Sequence, residues 1–183
     1  MTRLTALNPE EATGKTKDLF NAVQSKLGVV PNMMRTMGNS PAVLEGYLNL
    51  SGALSHGKLS AKTGELLALA VSEANSCDYC LAAHTFIGEK LMKAAPEVLH
   101  AARTGNSADP KTAAILQFAK SLISKNGLVN NQDVDAIKNA GVSDAEITET
   151  VAHVALNILT NYFNNTANTE IDFPTVPSLE LQN

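Results

Sequence analysis

The sequence predicts an all-α fold, a single domain of about seven to nine helices. Apolar residues recur at spacings of three and four along most of the chain, which is the period of a helix with one buried face. No run alternates between apolar and polar residues as a half-buried strand does. No linker rich in Gly or Ser divides the 183 residues into two units.

Signals for helix starts place the helices of the first part of the chain. Residues 8–11 (NPEE) combine an N-cap, a proline at the first helical position and an acidic first turn, and they predict a helix running toward Leu27. Ser40-Pro41 begins a second helix, and Ser60 caps a third. Residues 66–71 of this third helix are apolar almost all round, so we expect it to be buried.

The second part of the chain continues the same pattern, and Ser143 opens its long final helix with a capping box. The predicted helices cover about 77–92, Pro96 to near Gly105, Asp109-Pro110 through Ile123, 131–140 before Gly141, and Ser143 through Tyr162. From Ile171 to the last residue, 171–183, two prolines predict an extended tail. We expect this tail to pack over a neighbouring subunit or to hang free.

Charge and hydropathy exclude several classes of function. The net charge of −4 and the absence of a basic cluster disfavour nucleic-acid binding, which needs Lys and Arg to neutralise phosphates. No signal peptide and no run of ~18 apolar residues is present, so we expect a soluble cytoplasmic protein without a membrane span. Charged residues make up 17%, below the ~25% of ordinary globular proteins. We interpret this as surface covered in a homo-oligomer, although a surface rich in Ser, Thr and Asn explains it too.

The only two cysteines, Cys77 and Cys80, are spaced C-x-x-C, and His84 follows four residues later. Reducing compartments keep thiols reduced, so the pair is interpreted as catalytic, redox-sensing or metal-binding rather than as a structural disulfide. A helix that begins at Cys77 behind an Asn75-Ser76 cap would stabilise a thiolate with its free amides and its dipole. The two cysteines and His84 can then line one cavity.

Two acidic residues are candidates to complete a proton relay with His84. Glu65 lies on the helix predicted to be buried, where a carboxylate is costly unless it is paired or in use. Two antiparallel helices joined near Asn75 would point Glu65 back along the cysteine helix. Glu73 joins the site only if one helix runs unbroken through residues 75–76; otherwise it is the solvated end of its helix. We favour Glu65, which gives a thiol, an imidazole and a carboxylate in one apolar pocket.

Two other binding sites are disfavoured by spacing. A zinc site built on Cys77, Cys80 and His84 lacks a second ligand pair elsewhere in the chain, so we predict no metal. Residues 52–58 fit the pattern G-x-x-x-x-G-K of a phosphate-binding loop, but the next residue is Leu59 and the segment follows a helix. A helix end and loop is the interpretation that we favour for this segment.

The arrangement Glu65-x11-Cys77-x-x-Cys80-x3-His84 resembles the signature of the superfamily of alkylhydroperoxidase AhpD and carboxymuconolactone decarboxylase. Within it, the segments VVPNMMRTMGNSP, LSHGKLS and EIDFP are similar to the peroxidase-related, AhpD-like branch. The likeness covers roughly residues 28–175. It implies an AhpD-like helical bundle with the cysteine helix at its core, assembled as a trimer or a hexamer.

The resemblance also implies a function, a thiol-dependent peroxidase that reduces hydroperoxides without haem, flavin or metal. Cys80 would be the peroxidatic thiol, Cys77 the resolving thiol, and Glu65 with His84 the proton relay. A dithiol, which is a lipoyl-bearing protein in AhpD relatives, would reduce the resulting disulfide. AhpD enzymes often carry a histidine where this chain has Tyr79, so the contribution of that position is open. The apolar residues around the motif favour an organic hydroperoxide.

Two other functions compete with the peroxidase. A lactone decarboxylase of the other half of the superfamily needs no cysteine pair, so the intact C-x-x-C disfavours it. A disulfide switch without catalysis would keep the pair as a sensor, and it would react once with peroxide without sustained turnover.

Overall fold

The computed structural model describes residues 1–179 and confirms the all-α fold. Nine helices and no strand are present in this described range. Their bounds are α1 Gly14–Leu27, α2 Asn32–Met37, α3 Pro41–Leu54, α4 Ala61–Ala74, α5 Asp78–Lys90, α6 Pro96–Arg103, α7 Pro110–Ser124, α8 Asn131–Asn139 and α9 Asp144–Ala167.

The helix α4 is the centre of the bundle, as its nearly continuous apolar sequence predicts. It packs against α5, α6, α7 and α9. Leu67, Leu69 and Val71 have no exposed surface, and full burial of such a side chain contributes roughly 1.5–3 kcal/mol to folding. The cysteine helix α5 is therefore held against the most buried element of the fold.

Side-chain caps begin the long helices where the sequence places them. The Ser60 hydroxyl accepts a hydrogen bond from Thr63 N at 3.0 Å at the start of α4. Ser143 and Glu146 form a capping box at the start of α9. The hydrogen bond from Lys111 of α7, followed by those from Ser143, lowers the pKa of Glu146 to about 2. These caps fix the ends of the two helices that carry much of the site.

Two features near the N-terminus differ from the sequence prediction. Residues 8–11 form a turn, in which Asn8 Oδ1 accepts from Glu10 N at 3.1 Å, and α1 begins only at Gly14. The positive φ of +53° at Gly14 separates this turn from the helix. The short α2, Asn32–Met37, was not predicted because six residues are too few to establish a helical period.

The described part of the extended tail, residues 171–179, lies against its own chain, so the prediction that it hangs free is wrong, while its packing over a neighbour stays a prediction. Asp172 Oδ2 accepts from Asn32 N at 2.8 Å, and the Phe173 ring lies 5.8 Å from the ring of Tyr79. Further along, the Pro177 carbonyl accepts from Arg103 Nη2 at 2.7 Å. Residues 180–183 of the predicted tail lie outside the described residues.

The segment that fits G-x-x-x-x-G-K is a helix end and loop that holds a carboxylate of the same chain. The backbone amides of Lys58 and Leu59 donate to the Glu149 carboxylate of α9 at 2.7–2.8 Å. A Cβ at Gly57 would lie 2.6 Å from Glu149 Oε2, so a glycine permits this close approach. The loop thus joins α3 to α9.

Among residues 1–179, no helix combines the length and the apolar character needed to cross a membrane.

Candidate active site

The turn between α4 and α5 sets the position of both cysteines. Asn75 ends α4, and Ser76 takes the left-handed conformation with φ of +49°, so the chain reverses here. Cys77 is the N-cap of α5, and its Sγ accepts from Cys80 N at 3.3 Å. The sequence prediction assigned the cap to Asn75-Ser76, and the structure moves it to Cys77 itself.

Cys77 and Cys80 are joined by a disulfide bond, with Cα atoms 5.3 Å apart. Cys77 is completely buried, and Cys80 is 3% exposed. Cys80 borders a cavity that is partly open to solvent, whereas Cys77 does not. Of the two sulfurs, the one of Cys80 is therefore placed to meet a small molecule in that cavity.

Glu65 on α4 and His84 on α5 are in direct contact across the two helices. His84 Nδ1 donates a hydrogen bond to Glu65 Oε1 at 2.7 Å, and both residues border the same cavity as Cys80. Burial acts to lower the pKa of His84, but the charge and the hydrogen bond of Glu65 together outweigh it and raise the pKa. Cys80 and His84 are four residues apart on α5, so their Cβ atoms are ~5–6 Å apart.

Glu73 has a different role from the two that the sequence left open. The chain turns at residues 75–76, yet Glu73 is not the solvated end of its helix. Its Oε2 accepts from Arg103 Nε at 2.6 Å, and its Oε1 accepts from Leu179 N at 2.7 Å. Glu73 therefore anchors α6 and the tail, and the reason that sequence reasoning missed this is that Arg103 is distant in the chain.

Tyr79, at the position between the cysteines, faces the tail and the start of α2. Its hydroxyl oxygen accepts from Met33 N at 3.1 Å. Burial, with a smaller contribution from the Asp172 charge, raises the pKa of Tyr79 well above its ordinary value. The phenol is thus a neutral, structurally engaged group.

The cavity has a volume of about 470 Å³, within the range of ~300–1,000 Å³ typical of small-molecule sites. Its walls are mainly apolar and come from α2, α3, α4, α5, α9 and the tail; Met33, Leu54, Ala68, Phe86 and Phe173 are among them. Cys80 and the hydrogen-bonded pair of Glu65 and His84 are part of the same lining. The cavity can hold an organic molecule with a reactive end at the sulfur.

Several polar residues that border this cavity were missed by sequence reasoning, among them Tyr47, His153, Asn157 and Asn164. Burial, with a smaller contribution from the Glu65 charge, raises the pKa of Tyr47 to about 12. Burial lowers the pKa of His153 despite the nearby Glu149 charge. The available signal was in α9, where Asn157 and Asn164 follow His153 at helical spacings, among several other polar residues on the buried side of the helix.

No group of three or more His, Cys, Asp or Glu side chains in the described part of the chain is arranged to hold a metal ion.

The model of the carboxymuconolactone decarboxylase family matches residues 41–90. This segment contains α3, α4 and α5, and with them Glu65, both cysteines and His84. A comparison with curated proteins found no match.

Solved structures of similar fold include two peroxidase-related proteins. An uncharacterized peroxidase-related protein from Ralstonia eutropha, described as an alkylhydroperoxidase AhpD core, is 26% identical with a TM-score of 0.83, and the alignment covers 93% of this chain and 92% of that one. A peroxidase-related protein from Silicibacter sp. is 23% identical with a TM-score of 0.78, covering 93% of this chain and 94% of that one.

The debrominase Bmp8 has a similar fold as well. It is 21% identical with a TM-score of 0.78, and the alignment covers 94% of this chain and 93% of Bmp8. A cysteine-to-alanine variant of Bmp8 has been solved in complex with 2,3,4-tribromopyrrole. At this level of identity the likeness extends to the fold alone.

Proposed function

Because the chain belongs to the AhpD-like carboxymuconolactone decarboxylase superfamily, we propose that it is a thiol-dependent peroxidase that reduces organic hydroperoxides through a Cys77–Cys80 dithiol/disulfide cycle. The observation that carries this proposal is that Cys80 and the hydrogen-bonded pair of Glu65 and His84 border one apolar cavity. A nucleophile, a proton-transfer pair and space for an organic group are the parts that this reaction needs.

The shape and lining of the cavity favour an organic hydroperoxide over hydrogen peroxide. Its volume of about 470 Å³ far exceeds the needs of a molecule of two oxygen atoms. Apolar walls gain hydrophobic contact with an alkyl or aryl group, at roughly 25 cal/mol per Å² of buried apolar surface. This contact holds the substrate while its peroxide end lies at Cys80.

The first chemical step is attack by the Cys80 thiolate on the terminal oxygen of the hydroperoxide. An S–O bond forms, the O–O bond breaks, and its electron pair leaves on the alkoxide. His84, which carries the proton taken from the Cys80 thiol, donates it to the alkoxide, so that an alcohol departs. Glu65 favours the protonated imidazole at this point. Cys80 is left as a sulfenic acid.

The second step restores the disulfide. The Cys77 sulfur attacks the Cys80 sulfenic sulfur, hydroxide leaves with the proton of the Cys77 thiol as water, and the Cys77–Cys80 bond forms. An external dithiol then reduces this bond by exchange and becomes oxidised itself. We propose a dihydrolipoyl group as the dithiol and a cytoplasmic setting for the cycle.

The test is consumption of cumene hydroperoxide with dihydrolipoamide as reductant, compared among the wild type, Cys80→Ser and Cys77→Ser. We expect Cys80→Ser to abolish turnover because the nucleophile is lost. We expect Cys77→Ser to lose sustained turnover but still to oxidise Cys80 once, which a sulfenic-acid probe detects. Each variant serves as the control for the other, because both remove one buried sulfur of the same disulfide and differ only in which sulfur is lost.

Other results of this experiment would contradict the assignment or favour one of the competing functions. Most of the activity retained in Cys80→Ser would show that the assignment of the peroxidatic thiol is wrong. A wild type that forms the disulfide with peroxide but does not turn over would indicate a redox switch. Decarboxylation of a carboxymuconolactone by the wild type and by both cysteine variants would indicate the other chemistry of the superfamily.

A further inference from the structure

Asn164 of α9 contacts the sulfur of Cys80, which is the nucleophile in the proposed function. Its Nδ2 donates a hydrogen bond to Cys80 Sγ at 3.4 Å, across 84 residues of sequence. Asn164 is 2% exposed and borders the same cavity as Cys80 and His84. It is thus a polar side chain in contact with a reacting atom, and the relay of Glu65 and His84 does not use it.

The other half of this amide has no partner within the protein. Asn164 Oδ1 is buried and accepts no hydrogen bond from any of residues 1–179. A buried acceptor left unsatisfied costs about 1–3 kcal/mol. In a native structure such a group calls for an explanation, and a substrate that donates a hydrogen bond is one.

Asn161, one turn earlier on α9, shows how a buried asparagine of this helix is satisfied when its role is structural. Its Oδ1 accepts from Asn75 Nδ2 at 3.0 Å, and its Nδ2 donates to Ser72 Oγ at 3.4 Å. Asn161 therefore uses both ends of its amide to join α9 to α4. Asn164 uses only its donor end, and it does so on a sulfur.

We propose that Asn164 is a catalytic residue, whose Nδ2 stabilises the Cys80 thiolate and whose Oδ1 accepts the O–H of the hydroperoxide, an inference that rests on the proposed function. An amide donor favours the charged form of the sulfur that it contacts. The acceptor end holds the terminal oxygen beside Cys80, with the organic group in the apolar part of the cavity. One residue thereby orients nucleophile and electrophile together.

The two contacts of Asn164 suit both the reactants and the products of the first step. When the S–O bond forms and the O–O bond breaks, the hydroxyl of the substrate becomes the hydroxyl of the Cys80 sulfenic acid. Its hydrogen remains available to Asn164 Oδ1, while the proton for the leaving alkoxide comes from His84. Asn164 gains and loses no proton, so its contribution is electrostatic and positional.

The first test of this assignment needs no peroxide. In a Cys77→Ser background, the rate of Cys80 alkylation by iodoacetamide is followed against pH, with and without Asn164→Ala. We expect the apparent pKa of the Cys80 thiol to rise by about 1 to 2 units when the donor is removed, because a hydrogen bond to a charged group is lost. Asn161→Ala is the matched control, and it should leave the pKa of the Cys80 thiol unchanged.

The second test measures single-turnover oxidation of Cys80 by cumene hydroperoxide at one pH for all variants, and each rate is divided by the fraction of Cys80 thiolate that the first test gives at that pH. We expect Asn164→Ala to slow this step by roughly 10- to 100-fold, since the substrate is no longer oriented. Asn164→Asp, which conserves the side-chain volume, provides a second variant if the alanine variant does not fold. Its added negative charge should raise the pKa of the Cys80 thiol further than alanine does.

The outcomes separate this assignment from the proposed function. A folded Asn164→Ala variant with an unchanged alkylation profile and an unchanged oxidation rate would overturn the assignment and leave Asn164 a structural link. A wild type that is not oxidised by hydroperoxide, with a profile that still shifts in Asn164→Ala, would overturn the peroxidase and retain Asn164 as the partner of the thiolate.

Discussion

The hydrogen bond between Glu65 and His84 predicts how the activity depends on pH. His84 must be protonated to donate to the leaving alkoxide, so activity is lost as pH rises through the pKa of His84, which Glu65 raises. In Glu65→Gln the charge that raises this pKa is gone, whereas the burial that lowers it remains. We therefore expect the basic limb of the profile of kcat/KM against pH to move to lower pH.

Glu73→Gln is the matched control for this shift, because it makes the same chemical change on the same helix. Glu73 is bonded to Arg103 and to the tail, and it has no contact with His84. The basic limb should stay at its wild-type position in this variant. Movement of the limb in Glu73→Gln and not in Glu65→Gln would reverse the assignment of the relay.

We expect that replacement of Tyr79 lowers the stability of the protein but does not change the pH dependence of its activity. Because its pKa is raised by burial, the phenol stays neutral over the working range of pH and transfers no proton. Tyr79→Phe removes the acceptor of Met33 N, which leaves a buried amide unpaired at a cost of about 1–3 kcal/mol. Urea denaturation should show this loss, and the position of the pH profile should not change. A displaced pH profile would show that Tyr79 takes part in proton transfer.

At the scale of elements, the pair of Glu73 and Arg103 joins α4, α6 and the tail. The side chains are 11% and 6% exposed, so each charge depends on the other. We expect Arg103→Met to lower the free energy of unfolding by roughly 3–5 kcal/mol, since it strands a buried carboxylate and frees the Pro177 carbonyl.

The double variant Arg103→Met/Glu73→Met supplies the control for this prediction. Replacement of both charges by apolar side chains of similar length should recover much of the loss, because no uncompensated charge remains. Urea denaturation of the two single variants and the double variant measures the coupling. Strictly additive losses would show that the two residues do not act as a pair.

At the scale of the whole molecule, the homo-oligomer predicted from the sequence remains a prediction. Leu91 and Leu128 are 72% and 83% exposed, and Leu91 borders the cavity. A second copy that covered these side chains would remove their apolar surface from water. We expect a trimer or a hexamer in sedimentation equilibrium, and a monomer at every accessible concentration would contradict this expectation.

The parts of the fold that were predictable are those whose signal is local. The apolar face of α4, the caps at Ser60 and Ser143, and the helical start at Pro41 depend on neighbours within a turn or two, and they were placed correctly. The start of α1 was predicted at residues 8–11, which is too early, and α2 was not predicted. A turn can imitate a helix start, and a helix of six residues has no period to detect.

The candidate site divides in the same way. The sequence by itself determined which helix faces carry Cys80, Glu65 and His84, because periodicity along one chain segment defines the buried face. Only the tertiary structure decided that Cys80 rather than Cys77 borders the cavity, and that Asn164 contacts its sulfur. The physical reason is that periodicity shows which side of a helix is buried, whereas packing between distant segments selects the atoms that meet there.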